Sequence, residues 1–419
     1  MKKIGLITVL LLTILFNSAP VHALPPGDVE AWREDIAFYR AELEKKHIRL
    51  FHTVSRQKFD AELESLSERL PSMENTQQVV FEMMRITRLI GDGHTQFPIM
   101  GGPHKHFPIK YRLFGNTVRV VSAANKYGEF VGKKLVAVNG MPIAQVLEIL
   151  EPVVQPAENS FGLMSSLAFH LTVADILYGS GITDKPDDAV FSFERDDTSV
   201  ADVKVQAVGM HDFTKLSGQQ QIRIEAFFPS RELEISDNLW LGLDKGTNTA
   251  YIYFSSYPSM KDMENFGKEA RAFLEAKKVE NLIVDLRDNG GGSFYKGLML
   301  SSFILPVETL DWNNGIYVLT GRDTYSAAMS NAAQFRGILN AKIIGEPTGG
   351  NPVAYSELGG FHLPRTNRQV YYSERLFRFE NVATEGVLPD VFVDMAEKEY
   401  LAGKDSVVRW VMDDIRSRQ

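Results

Sequence analysis

Asn281-Leu282-Ile283-Val284-Asp285-Leu286-Arg287-Asp288-Asn289-Gly290-Gly291-Gly292 is the stretch from which the rest of the chain is read. It begins as a compact apolar run, turns polar, and closes on three consecutive glycines ahead of a helical pattern from about Ser293 to Phe303. A short, unbroken apolar run bounded by turn residues describes a strand covered on both faces, as in a parallel sheet sandwiched by helices. The same rhythm surrounds it. Strand Tyr251 to Phe254 and helix Lys261 to Lys277 come before it; strand Ile316 to Leu319, helix Ala327 to Leu339 and strand Ala341 to Ile344 follow. Such alternation predicts an α/β layer structure. The glycines let backbone N–H groups turn toward a ligand unobstructed, as an oxyanion requires. A phosphate cradle is the rival reading, but no Gly-Lys-Ser/Thr follows and no complete GxGxxG occurs.

A second strand-to-helix turn reads Val318-Leu319-Thr320-Gly321-Arg322-Asp323-Thr324-Tyr325-Ser326-Ala327-Ala328-Met329. Ser326 falls at the amino end of the helix, where the macrodipole favours a developing anion and the N–H of Ala327 is at hand. A serine there can equally be a simple cap, so the position alone leaves both roles open.

Toward the amino end, Asp28 to Ile90 is helical in pattern, with Thr76 as a cap ahead of Val79, Val80, Met83, Met84, Ile86, Leu89 and Ile90 at three- and four-residue spacings. Mixed charge on the polar faces makes these core-facing stripes rather than membrane-surface helices. The chain then breaks at Gly91-Asp92-Gly93-His94. Ile109 to Val121, Leu135 to Val138 and Asp187 to Val208 read as strands, Asn139-Gly140 as a tight turn, and Ala144 to Leu150 and Ser165 to Tyr178 as helices. Phe130 to Pro142 resembles the later strands of a PDZ domain as found in bacterial proteases. The expected organisation is a signal segment at 1–23, a helical segment at 24–95, a PDZ-like β-rich region at 104–235 and a catalytic α/β core at 236–419.

Composition narrows the function. Lys2 and Lys3 precede an apolar run from Ile4 to Phe16 and a small-residue site at Val21-His22-Ala23, the layout of a signal peptide. The run falls short of the roughly 20 apolar residues that span a bilayer, so the mature protein is expected to be secreted or extracytoplasmic, with no membrane span. There is no cysteine among the 419 residues. This removes thiol catalysis, disulfides, Cys-bound metals and a lipid-modified amino-terminal Cys. A net charge of −8 without a basic block argues against a nucleic-acid partner. His104-Lys105-His106 offers two metal ligands without HExxH or a third ligand at recognisable spacing, so no metal is expected, and nothing requires a cofactor.

Taken together, Asp285-Leu286-Arg287-x-Asn289-x-Gly291-Gly292, Thr324-x-Ser326-Ala327, Ile344-Gly345-Glu346-Pro347-Thr348-Gly349-Gly350 and Glu385-Gly386-Val387-Leu388-Pro389-Asp390 resemble the carboxyl-terminal-processing peptidase family. The resemblance covers Tyr251 to Val393 clearly. It implies a Clp-protease/crotonase-like catalytic core with Ser326 as nucleophile, and an oxyanion hole from the N–H groups of Gly291 and Ala327. Many members pair the serine with a lysine two residues beyond the Thr-x-Gly that here reads Thr348-Gly349-Gly350. The corresponding residue here is Asn351, whose amide cannot take a proton from serine. The base must come from elsewhere. Asp92-Gly93-His94-Thr95 resembles the Asp-x-His-Thr element of the tricorn-type branch, which makes His94 the candidate.

The acid that would orient the histidine is expected at Glu385, by likeness to the same branch, with Glu380 as the alternative; Asp92 is left to hold its own loop and Asp390 to cap a turn. The expected activity is that of an exported serine endopeptidase acting on polypeptides through an acyl-enzyme. The competing reading is an inactive ligand- or peptide-binding protein on the same fold. The sequence does not fix the oligomeric state, and a homo-oligomer is compatible with it.

Overall fold

The computed structural model describes residues 23–99 and 104–419. The export segment read at Met1 to Ala23 therefore lies outside the described residues, apart from Ala23 itself.

Three helices open the described chain: α1 (Pro26–Lys46), α2 (Arg56–Arg69) and α3 (Thr76–Arg88). In α3 the expected stripe is buried, Val79, Val80, Met83, Met84 and Ile86 all facing inward. Its cap is Asn75, whose side chain accepts the Gln78 N–H, and Thr76 is the first helical residue. Asn and Thr are close in capping strength and one residue apart, so pattern alone does not choose between them.

An antiparallel sheet follows, in the order β1 (Ile109–Phe114), β2 (Thr117–Ala123), β3 (Lys134–Val138), β4 (Asp188–Glu194), β5 (Val200–Gln206), with short strands Met141–Pro142 and Gln220–Gln221 beside β3 and β2. The Asn139-Gly140 turn has positive φ at both residues, 47° and 77°, as a two-residue hairpin turn of matching twist requires. Between β3 and β4 runs α4 (Ser160–His170). It starts five residues earlier than its apolar pattern predicts, because the Asn159 side chain caps the Gly162 N–H at 2.9 Å, and a separate short helix Ala174–Gly179 takes up the end of the predicted one.

The second large sheet is the expected α/β core. Its order is β6 (Leu233–Ser236), β7 (Leu239–Asp244), β8 (Thr249–Phe254), β9 (Asn281–Asp285), β10 (Ile316–Thr320), β11 (Lys342–Gly345) and, beyond a long excursion, Val391–Phe392. From β8 onward the pairing is parallel, in register Ile252↔Val284↔Val318↔Ile343. Along β9 successive side chains point to opposite faces. Leu282 and Val284 join the core under helices α5 (Met260–Lys277), α6 (Phe294–Ile304) and α7 (Ala327–Leu339). Ile283 packs with Tyr317 and Ile344 beneath α8 (Ser406–Ser417). Both faces are dry, which is why the run has no polar alternation. Each fully buried Leu, Ile or Val of this kind contributes about 1.5–3 kcal/mol.

The excursion is an antiparallel hairpin of two ten-residue strands, β12 (Val353–His362) and β13 (Gln369–Arg378). Its far end, through Phe361, Leu363, Val370 and Tyr372, shares one apolar core with the amino-terminal helices and the antiparallel sheet. The helical segment is therefore clamped to the α/β core by a hairpin that the core itself extends.

Candidate active site

Four loops meet at the carboxyl ends of the parallel strands, and the polar residues of the motifs hold them there. After β9, Arg287 forms a bidentate pair with Asp405 at 2.8 Å and 2.8 Å and also binds Asp285, fixing the strand end to the cap of α8. Asn289 donates to the Phe254 carbonyl and accepts the Gly291 N–H at 3.0 Å, which folds the glycine loop back on itself. The Thr324 hydroxyl donates to the Leu286 carbonyl and accepts the Gly321 N–H, and the Tyr325 N–H reaches the Asn289 carbonyl at 3.0 Å. The glycine loop and the serine loop are thus one hydrogen-bonded unit.

Ser326 sits where β10 turns into α7, with φ 52° and ψ −121°. A non-glycine residue in that region carries about 1–3 kcal/mol of strain, which the surrounding bonds must offset. Its Oγ lies 3.0 Å from His94 Nε2. His94 is buried, with its loop pinned by Asp92: one carboxylate oxygen accepts the N–H groups of His94 and Thr95 and the Ser373 hydroxyl, and the other accepts the Thr95 hydroxyl and lies 2.9 Å from His47 Nε2. Burial would raise the Asp92 carboxyl, but the bonds from His47 and Ser373 outweigh it and hold it below the usual range.

On its other side the imidazole faces Glu158. His94 Nδ1 is 3.3 Å from Glu158 Oε1 and 3.3 Å from the Tyr325 hydroxyl, which donates to the same carboxylate oxygen at 2.9 Å. The Tyr325 ring lies against the imidazole, centroids 5.1 Å apart and 16° from parallel. Burial, with the Glu158 charge beside it, pushes the Tyr325 phenol well above its usual range, so it remains a donor. The second Glu158 oxygen accepts the Asn351 N–H at 2.7 Å, and the Asn351 side chain donates to the Glu158 carbonyl while accepting from Asn159 and Gly386. Gly93 has no room for a side chain, because a Cβ there would overlap the Tyr325 hydroxyl and Glu158.

A cavity of about 310 Å³ opens in front of Ser326. Gly292 and Ala327 form part of its floor, and Met329, Phe294, Phe377 and Phe379 give it an apolar end. Phe377 and Phe379 are stacked at 5.5 Å, and Phe294 meets Phe379 edge-on at 5.7 Å.

The fold is similar to that of mature CPAF over almost the whole chain. The structure of mature CPAF complexed with lactacystin matches with a TM-score of 0.64 at 13% identity, covering 92% of this chain and 98% of that one. Mature CPAF alone gives 0.63 at 14%, covering 92% and 96%. That likeness concerns the fold. Residues 248–311, which contain β9 and the glycine loop, match the model of peptidase family S41. Over that stretch the chain is similar to the peptidases of family S41.

The structure brings together Ser326, His94 and Ala327 of the residues expected from sequence. Glu385 requires correction: its side chain is exposed and accepts only the Ser160 hydroxyl, at 3.3 Å. Glu380 is paired with Arg336 at 3.0 Å. The carboxylate against the histidine is Glu158, whose side chain is 3% exposed. Sequence reading missed it because the predicted helix began at Ser165, which left Glu158 in a nondescript linker; the neighbouring cap residue Asn159 was the available signal. Gly291 also requires correction. Its N–H is given to Asn289, and Gly292 is the glycine that lines the cavity. Among the described residues the N–H groups of Gly292 and Ala327 have no acceptor. Asp390 caps no turn but accepts the Ile343 N–H at 2.7 Å along the sheet edge.

His47, His52 and Asp92 bring three ligand-type atoms within 4.8 Å of one another. Both His47 nitrogens are already committed, Nε2 to Asp92 and Nδ1 to the Arg49 N–H. Among the described residues no helix is long and apolar enough to cross a membrane.

Proposed function

We propose that the protein is an exported endopeptidase that cleaves polypeptides through an acyl-enzyme, with Ser326 as nucleophile, His94 as base and Glu158 orienting the imidazole. The observation that carries this reading is the 3.0 Å contact between Ser326 Oγ and His94 Nε2, at the amino end of a helix and at the mouth of a cavity. Glu158 is an acceptor only, so it selects the tautomer with the proton on Nδ1 and leaves Nε2 free to take the serine proton. Oγ then attacks the peptide carbonyl, and the oxyanion meets the N–H groups of Ala327 and Gly292. The imidazolium gives its proton to the leaving amine, and water, activated by the same nitrogen, releases the acyl group.

Asn351 stands where a lysine base would, and its bonds support it as a brace for Glu158. The aromatic end of the cavity supports a preference for an apolar side chain beside the cleaved bond. Export rests on the segment Met1 to Ala23. The reading as an inactive binding protein gains nothing from a site in which serine, histidine and carboxylate stand in contact.

The test is labelling of the purified protein with a fluorophosphonate. Wild type is expected to react, Ser326→Ala and His94→Ala not, and Asn351→Ala to lose much less than His94→Ala. A folded wild type that stays unlabelled would overturn the reading, and an order reversed between Asn351 and His94 would remove His94 as base.

A further inference from the structure

His94 Nε2, the atom that must take the serine proton, has two hydroxyls within hydrogen-bond distance. Ser326 Oγ is at 3.0 Å and Ser356 Oγ at 3.1 Å. Ser356 comes from β12, a strand distant in sequence from both the serine and the histidine loops, and it lines the same cavity. The residue after it, Glu357, has φ 65° in the middle of a ten-residue strand. Strand residues avoid that region, so the local twist that presents Ser356 is held against backbone strain. The hairpin is also tied to the histidine loop on its other strand: Gln96 and Tyr371 exchange both backbone bonds, at 3.1 Å and 2.9 Å, and the Ser373 hydroxyl donates to Asp92 at 2.7 Å.

We infer that Ser356 is a further catalytic group, the acceptor that shares the Nε2 proton of His94 once the imidazolium has formed. The inference rests on the proposed Ser326 and His94 roles and extends them. With the proton on Nδ1, beside the Glu158 carboxylate and the Tyr325 hydroxyl, neutral Nε2 has a single lone pair and accepts from one hydroxyl at a time. When Ser326 gives up its proton, Oγ becomes bonded to the substrate carbonyl carbon and ceases to be a good partner. The new Nε2–H then needs an acceptor until the leaving amine arrives, and the Ser356 oxygen is the one already in place. No bond to Ser356 is made or broken, and the proton stays on nitrogen until the amine takes it. The charged groups facing the imidazole are Glu158 and, across the cavity, the Glu357–Arg375 ion pair; Asp92 acts through the loop backbone and Tyr325 remains a neutral phenol.

The experiment is the second-order rate of fluorophosphonate labelling across pH for wild type, Ser356→Ala and Ser356→Thr, with thermal unfolding of each. Removing an acceptor for the charged form lowers the affinity of His94 for its proton. Ser356→Ala is therefore expected to slow the plateau rate about tenfold and to move the rising limb toward lower pH, with the unfolding temperature unchanged. Ser356→Thr, which keeps the hydroxyl, is expected to recover most of the rate. A plateau equal to or faster than wild type, or a limb that stays put or moves up in pH, would overturn the inference, since it would mean that Ser356 is idle or competes with Ser326. An unlabelled wild type would instead remove the assignment of Ser326 and His94, and this inference with it.

Discussion

His94 Nδ1 and the Glu158 carboxylate stand 3.3 Å apart, with the Tyr325 hydroxyl bridging them and the Asn351 N–H holding the carboxylate from behind. If this contact sets the tautomer, Glu158→Gln should lower kcat by up to about 10⁴-fold, the loss seen when a triad acid becomes an amide. Glu385→Gln, altering an exposed side chain, should change it less than about twofold. Steady-state kinetics on a peptide substrate decides between them, and equal losses in both variants would put the orienting acid in doubt.

Tyr325 places a neutral donor on the same carboxylate, and burial beside Glu158 keeps the phenol protonated well past its usual range. The rate profile should therefore show no alkaline fall from this residue up to about pH 10. Tyr325→Phe removes one bond to a charged acceptor, so a loss of about tenfold in kcat is expected, with KM little changed.

The glycine loop offers an internal control. Gly291 has φ 111°, and a Cβ there would stand 2.7 Å from Ser326 Cβ; Gly290 has nothing within 4 Å. Gly291→Ala should cost about 1–3 kcal/mol of stability and displace the nucleophile, with near-complete loss of labelling. Gly290→Ala should be close to neutral in both urea unfolding and labelling.

Acid stability is expected to follow His170. Burial lowers its pKa to about 4, although Nδ1 donates to the Ser166 carbonyl at 2.7 Å. An unfolded histidine titrates near 6.5, so between those values the unfolded chain binds a proton that the folded one refuses. The contribution is complete above about pH 6.5 and is lost as pH falls toward 4, on the order of 3 kcal/mol in all. Urea midpoints at pH 7.5 and pH 5 should differ more for wild type than for His170→Gln; identical slopes would show that another group carries the effect.

The local chemistry of the chain determined the parallel core, the serine at a strand-to-helix turn and the histidine on its own loop. Those features repeat at periods of two and about 3.6 residues or occupy fixed places around glycines, so they are legible along one dimension. Leu282, Ile283 and Val284 announce a strand buried on both faces because each must find a dry surface whatever the rest of the chain does. What only the tertiary structure decided is which groups surround the imidazole. Glu158 precedes a helix whose start depends on an Asn159 cap, and Ser356 arrives on a hairpin whose register is set by pairing with β13 and by packing against the amino-terminal helices. Glu385, beside a matching motif, ends in solvent, while the next residue, Gly386, gives its N–H to the Asn351 side chain. Contacts between residues far apart in sequence depend on how elements pack, and no local pattern of residues encodes that distance.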